Sequence, residues 1–179
     1  PVAALMVREF GIEKAMMTTI HSYTADQNLQ DGPHRDLGRA RAAAENIVPT
    51  TTGATVAAAH ALPELAGIFN GLAIRVPTPV GSLSDFTFIL KRNTTVEEVN
   101  KVIVKATEEA GFKGILAATD EPLVSRDFIG DSHSAIVDLN LTQVCGGNMV
   151  KIVAWYDNEW GYSNRLIELV SELGKYLNK

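Results

Sequence analysis

The stretch "EKAMMTTIHSYT", residues 13–24, is rich in β-forming residues and predicts a strand with a single histidine, His21, near its end. A polar loop that carries Asp31, Gly32 and Pro33 follows this strand. An imidazole at the point where a strand leaves the core can exchange a proton near neutral pH. An isolated strand histidine is more often structural, so the role of His21 depends on what surrounds it.

Helices of unequal length and several further strands flank this segment. The apolar residues 1–10, stopped by Gly11, resemble the second half of a helix, and we expect its beginning to lie upstream of Pro1. Further strands are predicted at residues 70–79, 81–92, 134–139 and 148–157. A turn or short helix is predicted at residues 35–49, and helices at 50–65 with a threonine-rich cap, at 94–111 with Gly111 as the stop, and at 163–177.

This order of elements lacks a regular βαβ alternation. It therefore predicts an α+β domain over residues 1–179, in which a mixed, largely antiparallel sheet carries helices on one face.

Composition limits the classes of function. The chain has 179 residues, of which 46% are hydrophobic and 21% charged, with a formal charge of −5. These values exclude a disordered chain, a membrane-embedded protein and a basic nucleic-acid binder, so no nucleic acid or membrane partner is expected. The single cysteine, Cys145, cannot form an internal disulfide, which favours a cytoplasmic setting. The four histidines show no metal-ligand spacing, so no metal is expected.

Three other features suggest chemistry, each with a structural alternative. Arg75 interrupts an apolar strand and needs either an anionic ligand or an internal salt bridge. The sequence "PTTTG", residues 49–53, offers hydroxyls and a glycine that could hold phosphate, although N-capping explains one threonine. The segment "WYDNEWGYSN", residues 155–164, is more polar than a connection requires, although it could be an ordinary turn.

Taken together, these segments resemble the catalytic domain of the phosphorylating glyceraldehyde-3-phosphate dehydrogenase family. The resemblance covers essentially the whole chain and rests on segments that occur in the family's order: "MMTTIHSYTADQ", "HRDLGRARAAAENIVPTTTGA", "RVPTP", "KGILAATDEPLVSRDF" and "VAWYDNEWGYSNR". It implies an enzyme that converts glyceraldehyde 3-phosphate to 1,3-bisphosphoglycerate with NAD through a cysteine thioester.

The resemblance implies that His21 stands beside the nucleophilic cysteine, favours its thiolate and then acts as acid or base. The family's cysteine lies in a segment just before the position of Pro1, and Cys145 in "TQVCGGNM" is not in that context. The resemblance therefore implies that both the nucleophile and the Rossmann NAD-binding domain lie outside this chain, which alone should be inactive.

The other site residues follow from the same resemblance. Thr24 and Arg75 match the pair that holds the substrate's phosphate. Thr52, Gly53 and Arg39 match the site for inorganic phosphate. Asn158 matches the residue that fixes the nicotinamide carboxamide, and Tyr162 an aromatic near that ring.

Residues 26–48 resemble a loop that reaches a neighbouring subunit, which implies a homotetramer, and Pro33 within it favours NAD over NADP. Two alternatives stay open. One is a non-catalytic sugar-phosphate-binding or assembly module, because the chain lacks the nucleophile. The other is an erythrose-4-phosphate dehydrogenase fragment, against which the retained "TTTG" and "HSYT" argue.

Overall fold

The computed structural model describes residues 1–177. Its four helices are α1 (Val2–Phe10), α2 (Ala54–Ala61), α3 (Val96–Ala106) and α4 (Trp160–Leu177). Its eight strands are β1 (Ile12–Ser22), β2 (Val48–Thr50), β3 (Phe69–Val76), β4 (Ser82–Leu90), β5 (Leu116–Thr119), β6 (Ala135–Asp138), β7 (Gln143–Cys145) and β8 (Met149–Tyr156). Short 3₁₀ turns occupy Pro63–Leu65, Ser125–Phe128 and Leu139–Leu141.

All eight strands form one mixed sheet in the order β2-β3-β1-β4-β8-β6-β5, with β7 paired to β8. The pairs β1–β3 and β5–β6 are parallel, and the other pairs are antiparallel. The predicted α+β class and the largely antiparallel sheet are therefore confirmed.

The core lies between the sheet and the helices α1, α2 and α3. Leu5 and Met6 of α1 and Ile103 of α3 are almost fully buried against sheet residues such as Phe88 and Ile152. Alternate residues of the strands point away from this core, and Met16 and Leu72 on that side are exposed. The apolar stripe of each helix thus determines which face of the sheet is buried.

Several predicted boundaries were wrong. Helix α3 ends at Ala106 rather than at Gly111, because the chain turns there and buries Phe112 in the core. Helix α2 spans Ala54–Ala61 rather than residues 50–65, and its N-cap is Gly53 rather than a threonine. The Thr52 hydroxyl still accepts a hydrogen bond from the Ala54 N–H at 3.2 Å. Residues 35–47 form turns, one of the two predicted alternatives, whereas the short strands β2, β5 and β7 were not predicted.

Strand pairing brings distant polar residues to one edge of the sheet. The parallel register of β1 and β3 places His21 opposite Arg75. The antiparallel register of β4 and β8 places Ser82 opposite Tyr156. The carboxyl ends of β1, β3 and β8 and the start of β4 therefore meet, and the candidate site lies there.

Within residues 1–177, no helix is both long enough and apolar enough to cross a membrane.

Candidate functional site

His21 is held in one orientation at the end of β1. Its Nδ1 lies 2.7 Å from the backbone oxygen of Ser22. Because a carbonyl only accepts hydrogen bonds, Nδ1 carries the proton and Nε2 is the free nitrogen of the neutral ring. Burial lowers the pKa of His21 below its usual value, the Ser22 carbonyl opposes this, and the charge of Arg75 lowers it further. The isolated chain thus presents a neutral imidazole whose Nε2 can take up a proton.

Tyr156 supports this ring, and the sequence reasoning assigned it no role. Its ring lies edge-on to His21 with a centroid distance of 6.1 Å. Burial raises the pKa of its hydroxyl, and the nearby hydroxyls of Ser84, Thr19 and Ser82 oppose that rise. The only sequence signal was its place in the polar segment 155–164, which does not reveal that it faces a histidine 135 positions away.

Arg75 has the character of an anion-binding residue. Its Nη1 donates to Thr24 Oγ1 at 2.9 Å and to the Ser22 carbonyl at 3.4 Å. Its Nε is buried without a hydrogen-bond partner, and no carboxylate in residues 1–177 forms a salt bridge with it. Burial and the nearby Arg39 charge lower the pKa of Arg75. The structure therefore lacks the internal salt bridge that was the alternative interpretation.

Arg39, in contrast, is already paired. It forms a salt bridge with Asp26, and its Nε donates to Thr50 Oγ1 at 3.0 Å and lies 3.5 Å from Asp36 Oδ2. Its Nη2 contacts the Thr51 carbonyl at 3.5 Å. The side chain thus fixes the loop of residues 26–48 beside the threonine segment. An anion here would share Arg39 with Asp26.

Thr52 and Gly53 lie where α2 begins. The first N–H groups of a helix lack intrahelical partners and favour an anion. A Cβ at Gly53 would meet nothing within 4 Å, and φ there is −84°, so open space lies beside this backbone. Contacts with Thr50 and Thr51 hold Arg39 beside Thr52 and Gly53. Arg75 contacts Thr24 instead and belongs to the group around His21.

Asn158 lies in the turn between β8 and α4 and reaches the end of β1. Its Oδ1 accepts a hydrogen bond from Ser22 Oγ at 2.9 Å, and Ser22 also accepts the bond from His21. Tyr162, on the first turn of α4, is 70% exposed, and its side chain makes no hydrogen bond or ring contact within residues 1–177. The structure thus joins Asn158 to the His21 site, while Tyr162 faces outward.

The sequence of this chain matches a known protein family. The family described as "Glyceraldehyde 3-phosphate dehydrogenase, C-terminal domain" matches residues 1–158. The chain belongs to this family.

Curated relatives called "Glyceraldehyde-3-phosphate dehydrogenase" agree with that assignment. Those of Mycolicibacterium smegmatis and Mycobacterium avium are 55% and 54% identical over 177 residues, which is 99% of this chain and 52% of each relative. That of Streptomyces coelicolor is 51% identical over 99% of this chain and 53% of its own length. The chain therefore spans about half the length of the curated relatives it matches.

Cys145 lies away from the group around His21. It is exposed at the end of β7, where it pairs with Met149 at the start of β8. Tyr156 is at the other end of β8, which at ~3.4 Å per residue is about 24 Å long. In residues 1–177, no group of three or more His, Cys, Asp or Glu could hold a metal ion.

Asp157 fixes the turn that carries Asn158. Its Oδ1 accepts from the N–H groups of Glu159 and Trp160, both at 2.8 Å, and its Oδ2 accepts from the Gly130 N–H at 2.9 Å. The carboxylate therefore caps α4 and ties it to the segment before β6. Burial raises the pKa of Asp157, but the three N–H donors outweigh burial and lower it.

We expect Asp157→Asn to destabilise the chain by about 1–3 kcal/mol at pH 7, because one N–H donor would face an amide NH₂. Since the folded pKa is lowered, the carboxylate stabilises the fold above its ordinary pKa, and this contribution disappears as pH falls through the folded pKa. Denaturant melts of residues 1–179 at pH 7 and pH 3 should show the difference from wild type shrinking in acid. Asp120→Asn, at an exposed carboxylate, is the control. Equal melts for Asp157→Asn and wild type at pH 7 would contradict the capping role.

Proposed function

We propose that residues 1–179 are the catalytic domain of a longer enzyme that oxidises and phosphorylates glyceraldehyde 3-phosphate to 1,3-bisphosphoglycerate. The observation that carries this proposal is the pairing of His21 with Arg75 across β1 and β3, where Arg75 has a buried, unpartnered Nε and no carboxylate partner in residues 1–177. An acid–base group beside an unneutralised guanidinium suits a substrate that combines a reactive carbon with a phosphate.

In this proposal, Arg75 and Thr24 bind the phosphate of the substrate. The Arg75 Nη1 already contacts Thr24 Oγ1 at 2.9 Å, so both groups can face one oxyanion. Binding the phosphate at this remote point holds the aldehyde carbon near His21 and converts binding energy into orientation. The neutral His21, through Nε2, takes a proton from the attacking group and returns one later.

Thr52, Gly53 and Arg39 are proposed to bind the inorganic phosphate that releases the acyl group. Support comes from the start of α2 beside open space at Gly53 and from the contact between Arg39 and the Thr51 carbonyl. Asp26 forms a salt bridge with Arg39 in this structure and would compete with a bound anion for it. A weaker, exchangeable anion site suits a co-substrate that must leave as part of the product.

The family implies a nicotinamide cofactor, and the residues present fit one. The Asn158 Nδ2 donates no hydrogen bond within residues 1–177, and the exposed Tyr162 ring is available for stacking. NAD rather than NADP is proposed, with Pro33 as the supporting residue. When bound, NAD takes up the two electrons removed from the aldehyde carbon. A Rossmann domain and the nucleophilic cysteine, which forms the thioester, are proposed to lie in the preceding part of the longer protein.

The enzyme is further proposed to be a cytoplasmic homotetramer. Leu29, Leu37 and Ile47 on the loop of residues 26–48 are 77%, 82% and 71% exposed. Three exposed apolar side chains on one loop support a surface that packs against a partner. A cytoplasmic setting is supported by the single cysteine of residues 1–179, Cys145, which is free and exposed.

The test is phosphate-dependent formation of NADH from glyceraldehyde 3-phosphate by the full-length protein. We expect activity that rises with phosphate and saturates, and no activity from residues 1–179 alone. Erythrose 4-phosphate, oxidised with water in place of phosphate, is the comparison. A rate that is independent of phosphate and highest with erythrose 4-phosphate would contradict the proposal, as would turnover by the isolated chain.

A further inference from the structure

The side-chain amide of Asn158 is held by three donors from two other strands and a turn. Its Oδ1 accepts from Ser22 Oγ at 2.9 Å, from Ser82 Oγ at 3.0 Å and from the Gly81 N–H at 3.0 Å. Ser22 and Ser82 are 0% and 2% exposed, so the serine end of each bond is shielded from water, while Asn158 itself is half-buried. A buried hydrogen bond between neutral groups is costly to lose, because the remaining partner stays unsatisfied.

The Gly81 N–H determines which way the amide faces. A backbone N–H can only donate, so the atom of Asn158 that meets it must be the oxygen. With Oδ1 facing Gly81, both serine hydroxyls must donate as well. A flipped amide would bring its NH₂ against the Gly81 N–H. Nδ2 is therefore forced to the opposite side, where it makes no hydrogen bond within residues 1–177 and can donate only to a ligand or to water.

Ser22 also joins this amide to the acid–base residue. Its N–H donates to Ser82 Oγ at 3.1 Å, its hydroxyl donates to Asn158, and its carbonyl accepts the Nδ1 proton of His21 at 2.7 Å. Every polar group of Ser22 is thus used to set the relative position of His21 and Asn158. Nothing in the sequence pattern assigned a role to Ser22 or Ser82.

We propose that Ser22 and Ser82 are positioning residues that fix the Asn158 amide before the cofactor binds, with Nδ2 directed to the carbonyl oxygen of the nicotinamide carboxamide. This inference rests on the proposed cofactor role of Asn158. A donor that is already oriented loses little rotational freedom on binding, so the two serines raise cofactor affinity without touching the cofactor.

The first test uses residues 1–179 without any cofactor. The side-chain ¹⁵N relaxation of Asn158 should show a rigid amide in the wild type, and its order parameter should fall below about 0.6 in the Ser22→Ala/Ser82→Ala double variant. Thr94→Val is the control, because Thr94 is also buried, at 8% exposed, and its hydroxyl donates to Glu98 Oε2 at 2.7 Å, on the loop before α3. An amide that stays equally rigid in the double variant would overturn the inference.

The second test measures NAD binding by calorimetry in the full-length protein. Ser22→Ala and Ser82→Ala should each raise the Kd for NAD by about 3- to 10-fold, which corresponds to one neutral hydrogen bond. In an Asn158→Ala background the same changes should have less than about a 2-fold effect, because the two hydroxyls influence cofactor binding through the Asn158 amide. Thr94→Val should leave the Kd unchanged.

The outcomes separate this inference from the proposed function. If Asn158→Ala weakens NAD binding but the serine variants do not, the positioning role is wrong and the cofactor role stands. Equal effects of the serine changes with and without Asn158 would likewise overturn positioning. If Asn158→Ala itself leaves the Kd unchanged, the cofactor role of Asn158 fails and the inference fails with it.

Discussion

Replacing His21 with Asn in the full-length protein should lower turnover by about 10²–10⁴-fold, the usual contribution of a positioned acid–base group. Asn can still donate to the Ser22 carbonyl, which His21 contacts at 2.7 Å, but it offers no titrating nitrogen in place of Nε2. Alkylation of the catalytic thiol should slow as well, because the imidazole no longer favours the thiolate. Steady-state rates and thiol-alkylation rates between pH 6 and pH 9 measure both effects.

His60→Asn is the matched control for this experiment. His60 is exposed at the end of α2 and contacts none of the residues around His21, so its replacement should leave both rates unchanged. Near wild-type turnover and thiol reactivity in His21→Asn would make His21 a structural residue only.

His21→Asn should also change how the stability of residues 1–179 depends on pH. Burial lowers the folded pKa of His21 below the ordinary value of 6.5, so the unfolded chain takes up a proton first as the pH falls. Stability should therefore decrease below about pH 6.5, and this component should stop growing once the pH is below the folded pKa. Melts between pH 7 and pH 5 should show this loss in the wild type, and His21→Asn should lack it.

Arg75→Leu in the full-length protein should reduce kcat/KM for glyceraldehyde 3-phosphate by about 10- to 100-fold, because a charge-assisted bond to phosphate is worth ~1.5–3 kcal/mol. The melting temperature should stay almost unchanged. Removing one partner of a buried ion pair costs about 3–5 kcal/mol, but Arg75 has no carboxylate partner in residues 1–177. Within residues 1–177, its side chain loses only the bonds to Thr24 and Ser22.

Unphosphorylated glyceraldehyde is the substrate control. Variant and wild type should be similarly poor with it, since no phosphate remains for Arg75 to bind. Arg92→Leu is the protein control, because Arg92 is an exposed arginine that follows β4 at the end opposite Ser82. Equal losses with both aldehydes, together with a large fall in melting temperature, would count against the phosphate role.

Local sequence was sufficient for the long elements. Strands β1, β4 and β8 and helices α1 and α3 each carry enough residues for their hydrophobic period to be recognised. Thr95 caps α3, because its hydroxyl accepts a hydrogen bond from the Glu98 N–H. Strands β2, β5 and β7 have three or four residues, too few to show a period. They are strands only because β3, β6 and β8 provide partners for their backbone groups.

The sequence by itself also determined the family and the identity of the candidate residues, because chemical groups such as the His21 imidazole and the Arg75 guanidinium are written in it directly. Only the tertiary structure decided which partners these groups contact and how they are oriented. The bond between Ser22 and Arg75 spans 53 positions, and that between Ser22 and Asn158 spans 136. Strand register fixes which groups meet over such separations, and no local pattern encodes it. The contact of Arg75 with Ser22 and the forced orientation of Asn158 follow from that register. The pairing of Arg39 with Asp26 depends instead on how the loop of residues 26–48 folds.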